Sequence, residues 1–254
     1  MFKRLLRHGG RFFLDLLFPL LCPSCQMRYP DRDGLCQLCA TNFRSARISN
    51  TGFREYCRHC SIPLDKLKPN SYWCHSCLHL EYHKISFSYH HQALTFLTGT
   101  IQTSIYLAKF THLYQYKGYW SYLLYPYLIK LREENYRFVL APTKRKEHLM
   151  DAIRRELSFY GIETIYTFLR KRVNIQQKNL DWSDRRTAQQ ENIYISKKNM
   201  SIVTGQKWLI LDDIYTTGAT LYQSAKVLHE CGASEVRSIS LSIAIPPTMK
   251  NHMI

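Results

Sequence analysis

The sequence predicts an α/β domain with a mainly parallel sheet, preceded by a small cysteine-rich module. Two patterns support this fold class. In the C-terminal half, short apolar runs alternate with segments of helical periodicity, as expected for strands buried on both faces of a sheet. In the N-terminal part, eight of the nine cysteines form four C-x-x-C pairs. We therefore predict two domains, residues 1–80 and residues 81–254.

Length and composition support the same division. A chain of 254 residues has room for one domain of ordinary size and a small module. Its 45% apolar content allows a real core, which excludes global disorder. The net charge of +16 favours polyanionic partners such as nucleic acid or an acidic membrane surface. A basic surface is also common in proteins that bind only small phosphates.

The N-terminal segment has a basic start and an apolar run over Phe12–Leu21, which could suggest a signal sequence. Asp15 interrupts the run, and Leu21 is too large for the small residue expected before a processed cysteine. We therefore predict a short helix that packs on the cysteine module. No stretch approaches the roughly 18 unbroken apolar residues that span a bilayer, so we expect no transmembrane segment and a cytoplasmic protein.

The cysteine pairs predict two structural zinc sites. Each C-x-x-C can aim both sulfurs at one ion, and two such knuckles complete a tetrahedral site of four thiolates. Sequential grouping, with the first two pairs in one site and the last two in the other, is the simplest scheme, and an interleaved scheme stays open. The pairs are Cys22 and Cys25, Cys36 and Cys39, Cys57 and Cys60, and Cys74 and Cys77.

Disulfides and redox dithiols are the alternatives to zinc. Disulfides require an oxidising compartment, for which the sequence gives no signal. A redox dithiol would sit in a βαβ pattern, whereas these pairs lie in loop-rich sequence. Because sulfurs already fill all four positions of each site, His59 and His75 are predicted to be exposed loop residues. The ninth cysteine, Cys231, is predicted to be a buried small apolar residue.

Residues 78–136 are rich in aromatic residues and histidine, and part of this region has helical periodicity. The tyrosines could stack on bases, but we favour a core face, and the scattered histidines do not form a metal pattern. Pro126 should kink or restart the helix. The periodic residues are Trp120, Leu123, Leu124, Tyr127, Leu128 and Leu131.

From Tyr136 the chain becomes α/β. Residues 170–192 are highly polar and predict a loop or lid. The predicted elements are a strand at Phe138–Ala141, a helix through Leu149, Ile153 and Leu157 that ends near Gly161, strands at Ile162–Leu169 and Asn192–Ile195, a strand at Trp208–Leu211, and a last strand at Val236–Ile245, halted by Pro246 and Pro247.

A basic loop, residues 142–146, follows the first of these strands directly. Lys144 and Arg145 would meet a pyrophosphate there, since charge-assisted hydrogen bonds to phosphate are strong. A solvated cluster of charges is the alternative interpretation.

The stretch WLILDDIYTTGAT, residues 208–220, is the most informative part of the chain. A buried strand runs into Asp212 and Asp213, and a Thr/Gly-rich turn then opens a helix that stops at Gly232. Gly218 and Ala219 let the backbone approach a ligand, so that N–H groups of the turn can face an anion. The acids lie where open α/β sheets place ligands, and would accept hydrogen bonds from hydroxyl groups. This layout predicts a sugar-phosphate site.

This stretch resembles the phosphoribosyl-pyrophosphate (PRPP) motif of type I phosphoribosyltransferases. The resemblance implies a type I phosphoribosyltransferase-like sheet that binds PRPP together with Mg²⁺. The residues implied to contact PRPP are Asp212, Asp213, Thr216, Thr217, Gly218, Ala219 and Thr220, with Lys144 and Arg145 from the basic loop.

Taken with the cysteine pairs, the chain resembles the ComF family of late-competence proteins, which carry an N-terminal double zinc ribbon. The step Lys117-Gly118 and the segment with Gln177, Leu180 and Arg185-Arg186 add to the resemblance. It implies a role in the uptake and handling of transforming single-stranded DNA, with a ComFA-like helicase partner. The family's R-G-F-N-Q-type segment is absent after Arg145, which favours PRPP binding over base transfer.

Two other functions stay open. The protein could be an active phosphoribosyltransferase that acts on an unidentified base or nucleotide-related acceptor, although no residue for recognising a base and no general base stand out. It could also be a zinc-ribbon scaffold whose sugar-phosphate pocket is vestigial.

Overall fold

The structure is a computed structural model, and the residues that it describes are 22, 35–45, 57, 74, 77, 89–111, 116–143, 149–166, 168–171 and 193–244. Several predicted features lie outside these residues. They are the helix at Phe12–Leu21, Cys25, His59, Cys60, His75, Lys144, Arg145, the loop or lid from residue 172 onward with Gln177, Leu180 and Arg185-Arg186, and the stop at Pro246 and Pro247.

The central feature of the fold is a five-stranded sheet that is parallel throughout, as the mainly parallel prediction requires. Its strand order is β1-β7-β6-β2-β3, so the chain crosses over between neighbouring strands through helices. The strands are β1 (Tyr89–Phe96), β2 (Tyr136–Leu140), β3 (Thr164–Ile165), β6 (Lys207–Tyr215) and β7 (Glu235–Ile243). Two short strands, β4 (Leu169–Lys171) and β5 (Ile193–Ile195), form a separate antiparallel pair.

The helices cover both faces of the sheet. They are α1 (Gln37–Ser45), α2 (Gly99–Thr111), α3 (Lys117–Glu133), α4 (Leu149–Ser158), α5 (Met200–Val203) and α6 (Ala219–Glu230), with a 3₁₀ turn at Lys197–Asn199. Among these described helices, none is both long and apolar enough to cross a membrane.

The sheet separates two hydrophobic cores. Leu209 and Leu211 of β6 pack into the first core with residues of α2, α3 and α4, whereas Trp208 and Ile210 pack into the second core with residues of α6. Successive residues of a strand point to opposite faces, so both faces of β6 are covered. This explains why the sequence of β6 is a continuous apolar run and confirms the prediction that it is buried on both sides.

Most predicted elements from residue 136 onward are confirmed within one or two residues, but the single strand at Ile162–Leu169 is wrong. The chain pairs with β2 only at Thr164–Ile165 and then leaves the sheet. Phe168 turns into the second core, where its ring stacks on Trp208 with centroids 5.0 Å apart. Leu169 then begins the separate antiparallel pair. The packing of Phe168 against Trp208 therefore prevents the apolar run from continuing as one strand of the sheet.

Three further differences concern the first half of the α/β domain and the end of β6. The sequence interpretation did not include β1, because its polar residues hide the pattern of a buried strand. Pro126 does not restart the helix, because α3 is continuous through it, with Pro126 at an exposed position. The strand predicted to end at Leu211 continues to Tyr215, so the acid pair lies within it.

The predicted core residues of α3 are buried, except that Tyr127 is half-buried. Cys231, predicted to be buried, is half-buried and packs against the second core.

Candidate functional site

The acid pair lies near the C-terminal end of β6, at the centre of the sheet. Leu211 pairs with Leu140 of β2, so the residues that follow each of them lie side by side at the same edge. The backbone N–H of Asp213 donates to Asp212 Oδ1 at 2.9 Å, and Lys109 of α2 donates to Asp213 Oδ1, also at 2.9 Å. A helix on the first-core side therefore supplies the cation next to the pair.

The two carboxylates have different electrostatic surroundings. Burial, and then the adjacent charge of Asp213, raise the pKa of Asp212 to about 7. The hydrogen bond from the Asp213 backbone and the cations Lys109 and Lys171 act in the opposite direction. Asp212 can therefore hold a proton near neutral pH, or release it when a cation or a positively charged ligand atom arrives.

The turn after β6 contains a glycine with a left-handed backbone conformation. Gly218 adopts φ +76°, a left-handed conformation that favours glycine, and α6 begins directly after it. The first intrahelical bond runs from the Tyr222 N–H to the Gly218 carbonyl at 2.8 Å. Thr216 and Thr217 are exposed, and the Thr217 hydroxyl accepts a hydrogen bond from the Ala219 N–H at 3.4 Å. First-turn N–H groups lack intrahelical acceptors and can face an anion.

A cavity of about 320 Å³ lies beside the C-terminal end of β2, and one of its lining residues contacts the turn after β6. Lys171 connects the two, since it lines the cavity and its Nζ donates to Thr220 Oγ1 at 3.3 Å. The cavity is lined by Leu140, Ala141, Pro142, Thr143, Tyr166, Leu169, Arg170, Lys171 and Tyr194. One lining cation, Lys171, therefore lies within hydrogen-bond distance of the predicted phosphate turn.

Sequence reasoning missed the two lysines of this site. Lys109 lies in a helix without a recognisable motif, and only its contact with Asp213 reveals it. Lys171 falls in the polar stretch that was interpreted as a loop, and the antiparallel pairing of β4 with β5 brings it to Thr220. The change from an apolar run to Arg170-Lys171 is the signal that could have marked the end of a strand.

Six of the eight paired cysteines are described, and they form two clusters. Within each cluster the sulfur atoms lie within 4.8 Å of one another. The Cys36 N–H also donates to Cys22 Sγ at 3.4 Å. Each cluster takes its members from one half of the module, as in the sequential scheme. The clusters are Cys22, Cys36 and Cys39, and Cys57, Cys74 and Cys77.

The donor atoms of both clusters suit a tetrahedral metal. Sulfurs bound to one zinc at about 2.3 Å stand about 3.8 Å apart, which is compatible with the observed grouping. The first cluster packs into the first core and the second cluster into the second core. The two groups of thiols therefore lie on opposite faces of the sheet and are continuous with its cores.

Comparison with known proteins finds a family model that matches the α/β part of the chain and a curated relative that matches a short stretch. Residues 128–244 match the family model described as the phosphoribosyl transferase domain. A 36-residue stretch, 14% of the chain, is 53% identical to competence protein ComFC of Streptococcus pneumoniae (strain ATCC BAA-255 / R6), and the match spans 16% of that relative's length.

Two solved phosphoribosyltransferase structures show a distant similarity to this chain. A hypoxanthine phosphoribosyl transferase of Trypanosoma cruzi is 12% identical, with a TM-score of 0.37 over 51% of this chain and 73% of that chain. A purine phosphoribosyltransferase of Pyrococcus horikoshii is 17% identical, with a TM-score of 0.30 over 47% of this chain and 69% of that chain.

Proposed function

We propose that the protein binds PRPP at the turn between β6 and α6 and acts in the handling of transforming single-stranded DNA; the match of residues 128–244 to the phosphoribosyl transferase domain model supports the first part. The observation that carries the first part is the geometry of the turn. Asp212 and Asp213 lie near the end of β6, and three residues after that strand the left-handed Gly218 opens α6.

In this proposal each part of the turn has a separate task. The backbone N–H groups of Thr216–Thr220 hold the 5′-phosphate, and the threonine hydroxyls add hydrogen bonds. Asp212 and Asp213 accept hydrogen bonds from the ribose hydroxyls. Mg²⁺, bound to the pyrophosphate and ribose oxygens of PRPP, would neutralise part of the ligand's charge.

Cations on both sides of the acid pair favour the same ligand. Lys109 approaches from α2, and Lys171 approaches from β4. A ligand with several phosphate charges gains from both, because these side chains are only partly exposed and are less screened than surface lysines. Lys144 and Arg145 are proposed to contact the pyrophosphate as well.

The alternative is an active phosphoribosyltransferase, and the cavity beside Lys171 is the observation that favours it. Its volume of about 320 Å³ is enough for a small acceptor, and Tyr166 and Tyr194 line it. In an active enzyme, Asp212 and Asp213 would stabilise positive charge that develops on the ribose as the pyrophosphate leaves.

One pair of measurements separates these functions. Calorimetry with PRPP and Mg²⁺ measures binding, and a pyrophosphate assay with candidate bases and nucleotides measures turnover. Binding without pyrophosphate release supports the proposal, and release that depends on an acceptor establishes the enzyme. If millimolar PRPP neither binds nor shifts the melting temperature, the site is vestigial and the PRPP proposal is wrong.

We further propose that the two cysteine clusters, completed by Cys25 and Cys60, hold two structural zinc ions in a double zinc ribbon over residues 1–80. Four thiolates close each site, so the ions would stabilise the fold and leave no position for a substrate. Zinc-binding thiolates must stay reduced, which suits the cytoplasm.

The DNA-handling role rests on the resemblance to ComF proteins, and a surface feature supports it. Phe159 is 83% exposed, Tyr122 and Tyr160 are more than half exposed, and the ring of Tyr160 lies 5.7 Å from that of Tyr125. We call these four residues the aromatic patch. Exposed rings on a protein of net charge +16 suit single-stranded DNA, since rings stack on bases and cations attract the backbone.

Two basic side chains lie on the helices next to this patch. Lys117 is on α3, which carries Tyr122 and Tyr125, and its side chain is 47% exposed. Arg155 is on α4, which ends just before Phe159, and its side chain is 65% exposed. Arg155 forms an ion pair with Asp151, and Lys117 forms one with Glu156.

A ComFA-like helicase is the proposed protein partner in the same process.

A further inference from the structure

The side chain at the end of β6 covers the glycine of the turn. Tyr215 is the last residue of the strand and is only 4% exposed. A Cβ atom placed on Gly218 would lie 2.5 Å from Tyr215 Cζ, which is closer than such atoms approach in proteins. Gly218 is therefore required both by its φ of +76° and by the ring against its Cα.

Tyr215 is held in turn by a buried histidine. His91 of β1 is fully buried, and its ring stacks on Tyr215 with centroids 4.3 Å apart and an angle of 23° between the planes. Offset stacking of this kind adds to the energy of burial. The strand β1 thus reaches the turn through two stacked rings, although it pairs with β7 and not with β6.

Hydrogen bonds fix the His91 ring from both sides. Nε2 lies 3.3 Å from Ser240 Oγ, and the Ser240 hydroxyl donates its proton to the Ser242 carbonyl. Because a serine has one proton to donate, Nε2–H must donate to Ser240. In the neutral ring Nδ1 then accepts from the Ser238 hydroxyl at 2.8 Å, and the Tyr89 hydroxyl can donate to Ser238, also at 2.8 Å. The ring therefore cannot rotate without leaving buried polar groups unsatisfied.

The same network adjoins the acid pair. In the pairing of β6 with β7, Ser240 is the residue opposite Asp212. Displacement of His91 would thus disturb both sides of the candidate site, the ribose-binding acid and the phosphate-binding turn.

We propose that His91 and Tyr215 are positioning residues for the phosphate-binding turn. The stacked pair holds Gly218 in its left-handed conformation before a ligand arrives, so the ligand does not have to order the turn. Pre-ordering of a loop raises affinity because the entropy of ordering is not lost on binding. This inference rests on the proposed binding of PRPP for its ligand, but the effect on the turn is a property of the protein alone.

Binding measurements test the role of the ring. We expect Tyr215→Phe to bind PRPP with Mg²⁺ within about twofold of the wild type, because the ring is kept, and Tyr215→Leu to bind about tenfold more weakly. His91→Gln keeps hydrogen-bonding groups but removes the stacked ring, so it should resemble Tyr215→Leu. His90→Gln, at the exposed neighbouring position, is the matched control and should bind as the wild type does. Melting temperatures show that each variant is folded.

A second measurement uses the protein without ligand. Labelling with ¹⁵N-glycine gives ten backbone signals at most, since the chain has ten glycines. In Tyr215→Leu the Gly218 signal should shift and broaden, whereas Gly205 and Gly232, which also have positive φ angles, should keep their positions. Tyr215→Phe should leave all three unchanged.

The two measurements distinguish failure of this inference from failure of the proposed function. If the wild type binds PRPP and Tyr215→Leu binds it equally well with an unchanged Gly218 signal, the positioning role is wrong. If the wild type does not bind PRPP, the proposed function is wrong, and the Gly218 signal still decides whether the stacked pair holds the turn.

Discussion

Lys109 Nζ lies 2.9 Å from Asp213 Oδ1, and this ion pair connects α2 to the strand that carries the acid pair. Asp212, the other member of the pair, receives a hydrogen bond from the Asp213 backbone. Two adjacent carboxylates repel each other, and the structure offsets this repulsion with a cation on one acid and a raised pKa on the other. The site is thus asymmetric before any ligand binds.

The raised pKa of Asp212 predicts a dependence of stability on pH. Its pKa of about 7 in the folded protein exceeds the ordinary value of 3.8, so between these pH values the folded state binds more protons than the unfolded state. The contribution of Asp212 to stability is therefore fully present below about pH 4 and is lost as the pH rises through about 7.

Asp212→Asn removes this titration, and the comparison with the wild type cancels the groups that do not interact with Asp212. The free energy of unfolding of the variant, relative to the wild type, should rise by about 2 kcal/mol between pH 4.5 and pH 8, because one pKa unit corresponds to about 1.4 kcal/mol and solvent screens part of it. Urea denaturation at several pH values measures this difference. Parallel curves for the two proteins would contradict the raised pKa.

Lys109→Met tests the ion pair. The variant leaves Asp213 beside Asp212 without its cation, so we expect a loss of about 1 kcal/mol of stability at pH 8 and a smaller loss at pH 5, where Asp212 holds a proton. PRPP affinity should fall about fivefold, since a charge near the ligand is lost. Lys130→Met, at an exposed position of α3, is the control and should change neither property. Equal effects of both variants would assign the loss to net charge alone.

The cysteine clusters predict a metal content that a single substitution changes. Cys57→Ser should reduce bound zinc from two ions per chain to one and lower the melting temperature by about 5 °C, because Cys57 packs into the second core. Cys231→Ser alters a cysteine outside both clusters and should keep two ions. Elemental analysis of the purified proteins measures the metal. Unchanged zinc in Cys57→Ser would contradict the assignment.

The aromatic patch predicts where single-stranded DNA binds. Phe159→Ser combined with Tyr160→Ser should weaken binding of an oligonucleotide about tenfold, since each stacked base contributes roughly 1 to 3 kcal/mol. The slope of affinity against salt should not change, because no phosphate contact is removed. Tyr106→Ser, at another exposed aromatic residue, is the control. Fluorescence anisotropy measures affinity, and equal binding by all variants would place DNA elsewhere on the protein.

The sequence was sufficient to predict the strands whose burial is uniform. The apolar runs before Pro142 and Asp212 identify β2 and β6, and the pattern after Gly218 identifies α6. It was insufficient for β1, where His91 and Thr95 are buried but polar. Their side chains are satisfied by Ser238 and the Leu241 carbonyl on the neighbouring strand, which no local pattern reveals.

The candidate site likewise has residues that a local sequence pattern identifies and residues that only tertiary packing brings together. Asp212, Asp213 and the turn are contiguous in sequence, so a motif could identify them. Lys109 and Lys171 reach the site from elements 104 and 49 residues away from their partners, and only the packing of those elements brings them there. The role of Tyr215 likewise depends on His91, which β1 supplies from far upstream in the sequence.

The central claim, that the turn after β6 and its acid pair bind PRPP, is tested most directly by calorimetric titration of PRPP with Mg²⁺ into the wild type and into the double variant Asp212→Ala, Asp213→Ala. Glu230→Gln, at the far end of α6, serves as the control. We predict binding by the wild type and the control, and no binding by the double variant, with all three folded. Undiminished binding by the folded double variant would contradict the account, and unfolding of the double variant would show that the acids are structural.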